Sequence, residues 1–494
     1  MSEPDATANV LVARTELKAG ALRLPEVLMQ SVTLVAPAIA TLFSFGFIVG
    51  FAGVNAPLAF AIVLVIALML AFSLSLLARG FPSAGGYFTY ISRAVHPRAG
   101  MFTGWLYFLY NPLVPAPILA YMGTVVESEL KDKYDFTFPW WLFFILALSL
   151  VMFITYRGIE ISGKTLIILG AAEIVIVGAL ALWSAFDPGP GGFNLEPLNP
   201  GNIDAKGIGV NGIYLGVVFG IFSITGWEGA APIAEESENP HSTVPRALLI
   251  SVIFMGLFLV VCTWFLLLGW GTDNVGGIAS AANLPPLILA DKYWGSAYWI
   301  VLVALVNSTL AVCIASNLVV TRMWYAMGRA GALPSWFAKV HPTYKTPVNA
   351  ITAQFALILV SGLVGVWWWG KENIWAVDGL MITFALSTIY ALGNLGVLLY
   401  YYRERRREFN PILHGLFPIV STVALGILVW KSLHPFPVAP FKWAPIIVAA
   451  WMIAGIVLLV VLNMTGREGW LKTAGSAAEE RPETPEELAH RPTI

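Results

Sequence analysis

Twelve stretches of about 20 mostly apolar residues divide this chain, and no other feature restricts its fold as strongly. They lie near 28–50, 56–78, 101–126, 139–156, 161–186, 211–234, 247–270, 297–321, 348–369, 375–400, 412–431 and 443–464. A helix needs about 20 apolar residues to cross about 30 Å of hydrocarbon. The chain therefore reads as an all-α polytopic membrane protein with twelve transmembrane helices. Composition agrees: 58% of the 494 residues are hydrophobic and 12% are charged, about half the charged share of a soluble domain. The charges sit in short clusters between the apolar runs.

The distribution of positive charge gives the orientation. With the N-terminus inside and twelve crossings, 21 of the 28 Lys and Arg fall in cytoplasmic segments and 7 on the other side, as the positive-inside rule requires. Both termini are thus expected in the cytoplasm, in the cell membrane. Residues 1–23 form a cytoplasmic N-terminal segment whose early charges (Asp5, Arg14, Glu16, Lys18) argue against a signal peptide. The polar tail at 466–494 is expected to be disordered and cytoplasmic.

Several function classes fall away on composition. The net charge of −1 gives no field favouring nucleic acid. Cys262 and Cys313 lie inside apolar runs and offer neither a disulfide framework nor zinc spacing. The six His fall in loops, at span edges or in the tail, so no intramembrane metal, haem or other cofactor is expected. No Gly-x-x-x-x-Gly-Lys-Ser/Thr motif supports direct nucleotide driving.

Two spans are irregular at corresponding places. Pro37 interrupts the first, and Gly226, Gly229 and Pro232 interrupt the sixth. Matching interruptions in two halves point to a transport site at the midplane, and their five-span separation suits a five-plus-five inverted repeat. The repeats would cover about 24–186 and 211–402, within a transporter domain of 24–465 completed by helices 11–12 at 412–464. The third span carries Pro112, Pro115 and Pro117, which suggests a kink beside a cavity with Tyr107, Tyr110 and Asn111 in its wall. The outer segment 271–292 has room for a short lid helix.

Three motifs carry a family resemblance. GWEGAAPIAEESENPHSTVPRA (226–247), TRMWYAMGRAGALPSWFAKVHPTYKTP (321–347) and LARGFPSAGGYFTYISRAVHPRAG (77–100) resemble the sixth-span exit, eighth-span exit and second loop of amino acid–polyamine–organocation (APC) superfamily permeases. The resemblance spans roughly 20–465 and implies the LeuT-like 5+5 inverted repeat plus two C-terminal helices. It also implies that the helix breaks bind the substrate: backbone N–H groups would face a carboxylate and freed carbonyls an ammonium. Carried onto this chain, that role falls to Ala36, Ala38, Ala40 and Thr41 in the first span and to Phe222, Ser223 and Thr225 in the sixth. Phe222 takes the place of an aromatic gate, and Trp227 adds to a mostly apolar pocket.

Two departures stand out. The first-span break has Pro37-Ala38-Ile39-Ala40-Thr41 where many members have a Gly-Ser-Gly run. Many members also place a Lys fifteen residues after the Gly that opens the fifth span, and that count from Gly158 lands on Glu173. Ionisable groups within spans are functional by default, so Glu173 and Glu228 are candidates for proton coupling, and Glu228 also for pairing with a cationic amine. Glu228 could instead hold the sixth-span break open by hydrogen bonding. Asn307, Ser308 and Thr309 read as glue between helices, and Lys164, Arg322 and Arg329 as snorkelling anchors. The resulting expectation is a secondary active transporter, not an enzyme, that moves an amino acid by proton symport and alternating access. An amine importer or an amino acid/amine exchanger is the alternative, and membrane lipid is the other expected partner.

Overall fold

The computed structural model describes residues 17–203, 209–278, 281, 284–371, 373–466 and 469. The first sixteen residues and nearly all of the expected disordered tail lie outside them. The described residues are overwhelmingly helical and form no strand beyond one isolated bridge, Leu22 to Ser237. Ten helical stretches among them are long and apolar enough to cross a membrane, and the protein is a multi-pass membrane protein.

In chain order, α1 (Leu24–Val35), a π-helical turn (Ile39–Phe43) and α2 (Ser44–Ala52) make the interrupted first span, and α3 (Ala56–Gly80) follows it. A short α4 (Tyr87–Ala94) precedes α5 (Pro97–Tyr107) and α6 (Pro115–Tyr134). Next come α7 (Trp140–Arg157), α8 (Ile159–Phe186), α9 (Gly209–Ile224) and α10 (Pro240–Trp270). The chain continues with α11 (Pro285–Trp294), α12 (Trp299–Arg329), α13 (Val348–Trp369) and α14 (Ile374–Arg403), and ends in α15 (Phe417–Ser432) and α16 (Trp443–Met464). The ten stretches take Leu24–Gly80 as one of 57 residues and do not include α5 and α6. A count of twelve depends on reading the former as two crossings and the latter pair as one.

Local chemistry explains the interruption between α5 and α6. Pro115 and Pro117 occupy the first turn of α6, where an N–H would have no intrahelical acceptor and the ring does no harm. They cannot continue α5, so residues 108–114 leave the helix. The outer segment does form a helix, α11, again opened by prolines, Pro285 and Pro286.

Burial sorts the helices into a core and a lipid-facing rim. From Ala311 to Gly328 every residue of α12 is buried, which marks a helix enclosed on all sides. Only Ala444, Val448 and Gly455 of α16 are buried, so most of that helix is rim. It docks on α5 by a reciprocal pair: Trp105 and Trp451 stack at 4.2 Å, and each indole N–H donates to the other's carbonyl at 2.8 Å. Helices α3 and α10 approach closely at Gly256, where a Cβ would lie 2.3 Å from Leu64.

The face of the molecule that carries Leu22 is tied by ionic contacts, and here the snorkelling expectation for Arg322 is corrected. Arg322 is fully buried and forks onto Glu236, with Nε at 2.8 Å and Nη2 at 3.2 Å from its two oxygens. Arg329 grips Glu235 in the same manner, at 2.6 and 3.1 Å. Glu235 also accepts the Ala84 N–H. The planar guanidinium matches a carboxylate in two parallel bonds, which satisfies the charge of fully buried Arg322 without its reaching the interface.

Candidate functional site

The first-span break follows from Pro37, which has no N–H to donate and whose ring disfavours helical backbone in the residue before it. Ala36 accordingly leaves the helix in the left-handed region (φ 61°). In the sixth span, α9 ends at Ile224, Gly226 turns at φ 114°, and a 3₁₀ stretch runs from Trp227 to Glu236. The two breaks touch. A Cβ on Gly226 would lie 2.6 Å from the carbonyl carbon and oxygen of Leu34 and 2.9 Å from the N of Val35. Only glycine accommodates both the φ and the approach. Two further bonds join these spans: Ala230 N–H donates to Ser31 Oγ at 2.9 Å, and Ser223 Oγ to Ser44 Oγ at 2.7 Å.

Breaking a helix frees backbone N–H groups, and buried ones need acceptors. Buried Glu173, from α8, accepts the Ala38 N–H at 3.0 Å. Ser308 Oγ, from α12, accepts that of Ile39 at 3.4 Å, and the Ala36 carbonyl accepts that of Ala40 at 2.7 Å. At the sixth-span break Glu228 accepts the Gly226 N–H at 3.2 Å, the Tyr390 hydroxyl at 3.0 Å and the Tyr110 hydroxyl. Both glutamates thus serve as caps within the membrane, and Glu228 has the bonding that would hold the break open. Of the polar trio on α12, Asn307 donates to the Leu169 carbonyl at 2.7 Å, while Thr309 bonds back to Leu305 in its own helix.

A small chamber lies where the breaks meet. It brings together Ala36, Ala40, Phe222, Ser223 and Thr225 of the residues expected from sequence. Ala38 and Thr41 are buried beside it and do not line it, because their helical turn directs them elsewhere. Trp227 also lies away from it, its ring packed 5.6 Å from that of Tyr390. Tyr110 and Asn111 of the α5–α6 interruption do line the chamber, whereas Tyr107 stands behind them and accepts the Asn111 amide at 3.1 Å. The oxygen of that amide, Asn111 Oδ1, is buried without a hydrogen-bond partner among the described residues.

Sequence reasoning missed α14. Trp375 lines the chamber and forms an aromatic cluster, 5.1 Å from Phe222 and 6.2 Å from Phe43, with Phe43 in turn 5.0 Å from Tyr121. Gly379 lets Phe222 sit against the helix: a Cβ there would come within 3.0 Å of the ring. Asp378 lies three residues after Trp375 and four before Ile382, both of which line the chamber, so it shares their helix face. It is 6% exposed. The rule that singled out Glu173 and Glu228, an ionisable residue inside an apolar run, applies equally to Asp378.

The amino acid permease family model matches residues 26–468. A low-affinity putrescine importer of Escherichia coli is 26% identical over 438 residues, covering 85% of this chain and 90% of the importer. An L-methionine/branched-chain amino acid exporter of Escherichia coli is also 26% identical, over 85% of this chain and 91% of the exporter. A probable polyamine transporter of Arabidopsis thaliana is 25% identical, over 79% and 74%. A match that runs from α1 through α16 and contains both helix breaks places the chain in the amino acid permease family, within the APC superfamily.

Proposed function

We propose that the protein is a twelve-span secondary active transporter that moves an amino acid or an amine across the plasma membrane by alternating access, coupled to protons, with both termini cytoplasmic. The observation that carries this reading is the chamber at the meeting point of two broken spans. Ligand groups can reach irregular backbone at membrane depth only where it borders a cavity, and interruptions in spans one and six suit an inverted repeat. Ala36, Ala40, Phe222, Ser223 and Thr225 would contact the substrate. The aromatic cluster of Phe43, Tyr121, Phe222 and Trp375 would close one side of it.

Glu228 is the proposed coupling carboxyl, because its partner Tyr110 also lines the chamber. A proton on Glu228 alters what the Tyr110 hydroxyl can donate to, and so alters the wall that the substrate meets. Glu173 is the second proton candidate, since it caps the other break. The excess of Lys and Arg on one side supports the orientation.

Uptake into proteoliposomes tests the reading. The purified protein is given labelled putrescine or labelled amino acids, with an imposed pH gradient and with or without a protonophore. Accumulation above equilibrium that the protonophore abolishes is expected. Accumulation that persists with protonophore would refute proton coupling, and absence of uptake for every compound would refute transport.

A further inference from the structure

Between α7 and α8 the chain turns through one residue, Gly158, and a groove opens there, away from the chamber. Lys18, Arg157, Glu160, Ile161, Tyr344 and Lys345 are among the residues that line it. Its walls come from three separate parts of the chain: the segment before α1, the α7–α8 turn, and the connection between α12 and α13. That connection is tightly built. The His341 N–H donates to the Thr346 carbonyl at 2.8 Å, and His341 Nδ1 accepts the Thr343 and Tyr344 N–H groups, each at 3.2 Å. Thr346 Oγ1 donates to the Tyr156 carbonyl of α7 at 3.2 Å. These bonds hold Lys345 in the left-handed region, at a φ of 54°, a conformation that a lysine keeps only where its surroundings impose it.

The groove is electropositive. Three cations line it against one carboxylate, Glu160, which Lys18 Nζ already holds at 2.6 Å. Arg157 and Lys345 have no ion pair among the described residues. Rings steady Arg157 instead: its guanidinium lies 4.7 Å from the Phe153 centroid and 6.0 Å from that of Tyr344. A cation held over aromatic faces keeps its N–H donors for another partner. At the same place the first N–H groups of α8, those of Ile159, Glu160 and Ile161, find no acceptor among the described residues.

What adjoins the groove is lipid. On α7, Leu146, Leu150, Phe153 and Arg157 follow at helical spacing, share one face and are all exposed. On α8, Ile161, Ile168 and Val175 recur every two turns and are exposed as well. Exposed apolar faces of membrane helices meet acyl chains. Both stripes reach the groove, since Arg157 closes the first and Ile161 opens the second. A molecule anchored there by an anionic head can lay its tails along them.

We propose that this groove binds the phosphate headgroup of an anionic phospholipid, with Arg157 and Lys345 on the phosphate oxygens and the acyl chains on the exposed faces of α7 and α8. A guanidinium matches a phosphate in two parallel bonds, and basic pockets between membrane helices suit such headgroups. The bound lipid bridges the α7–α8 turn to the connection between α12 and α13. The proposal rests on the chain's being a multi-pass membrane protein and is independent of what it transports.

Native mass spectrometry of the delipidated full-length protein in detergent reads the binding. Thermal shift gives a second measure, since a ligand of the folded state raises its apparent stability. The probes are phosphatidylglycerol, phosphatidylcholine with the same acyl chains, and inorganic phosphate. Phosphatidylglycerol is expected to bind more tightly than either of the others by about tenfold or more, equivalent to about 1.4 kcal/mol. Arg157→Gln combined with Lys345→Gln should remove that preference over phosphatidylcholine. Lys345→Gln alone should remove part of it, and reports if the double variant does not fold. Arg406→Gln combined with Arg407→Gln takes the same charge from two exposed residues after α14 and should leave the preference in place. Equal losses in the two double variants would show a general attraction to positive charge and overturn the proposal. So would equal binding of the two lipids, or inorganic phosphate binding as tightly as phosphatidylglycerol, which would make the groove a site for soluble anions. The transport reading stands in each of these cases.

Discussion

The Arg322–Glu236 pair offers a perturbation whose size can be reasoned from geometry. Both side chains are fully buried, the fork onto the carboxylate is bidentate, and Nη1 donates in addition to Thr321 Oγ1 at 3.2 Å. The bond links the end of the 3₁₀ stretch after the sixth-span break to the last third of α12. Removing one partner leaves a charge buried without its counterpart, which costs about 3–5 kcal/mol, whereas replacing both with apolar residues of similar volume is often neutral or stabilising. Arg322→Met and Glu236→Met should therefore each destabilise by about that amount, and the double variant should recover most of the loss. Unfolding of the three variants and the parent by SDS titration in mild detergent, followed by tryptophan fluorescence, supplies the full cycle. Losses that add in the double variant would show that the two groups do not interact and would refute the reasoning. Because the pair fastens the sixth-span half-helix to α12, the single variants should also slow transport, and the double variant should not restore it fully.

Three further outcomes follow from the site and its supports. Gly226→Ala forces a Cβ to within 2.6 Å of the Leu34 carbonyl at a φ of 114°, so the breaks must separate; substrate binding should be lost by tenfold or more in titration calorimetry, with expression retained. Tyr390→Phe removes one of three donors to buried Glu228, a bond of about 1.5–3 kcal/mol when the acceptor is charged; the pH dependence of uptake should shift, and an unchanged profile would argue against Glu228 as the coupling group. At the rim, Gly455 lies under Trp105, where a Cβ would come within 2.5 Å of the ring. Gly455→Val should loosen α16 from α5, read as a lower unfolding temperature with little change in ligand affinity.

Much of the architecture is legible because lipid makes strong demands on sequence. Runs of about 20 apolar residues mark the helices. Proline and glycine mark the places where helices stop, for chemical reasons that hold in any context: Pro37 lacks a donor, Gly226 alone tolerates its φ, and Pro115 and Pro117 suit only a helix start. The breaks place the site, and the family resemblance carries it onto the chamber-lining Ala36, Ala40, Phe222, Ser223 and Thr225. Residues that depend on where distant helices meet are not legible in this way. Arg322 and Glu236 are 86 residues apart, and nothing in either local sequence distinguishes a buried fork from two interfacial charges. Trp375 looks like any aromatic at a span end until α14 is seen to face Phe222. Trp227 shows the converse error: beside a break in sequence, it follows the Gly226 turn at φ 114° and packs its ring against that of Tyr390. Asp378 is open to the same rule as the two glutamates, and the sequence reading passed over it.

The most direct test of the central claim is a cryo-electron microscopy structure of the full-length protein with a saturating concentration of an amino compound that it transports. The account predicts ligand density in the chamber between Ala36, Asn111, Phe222 and Trp375. Density at any other place, with this chamber empty, would contradict it.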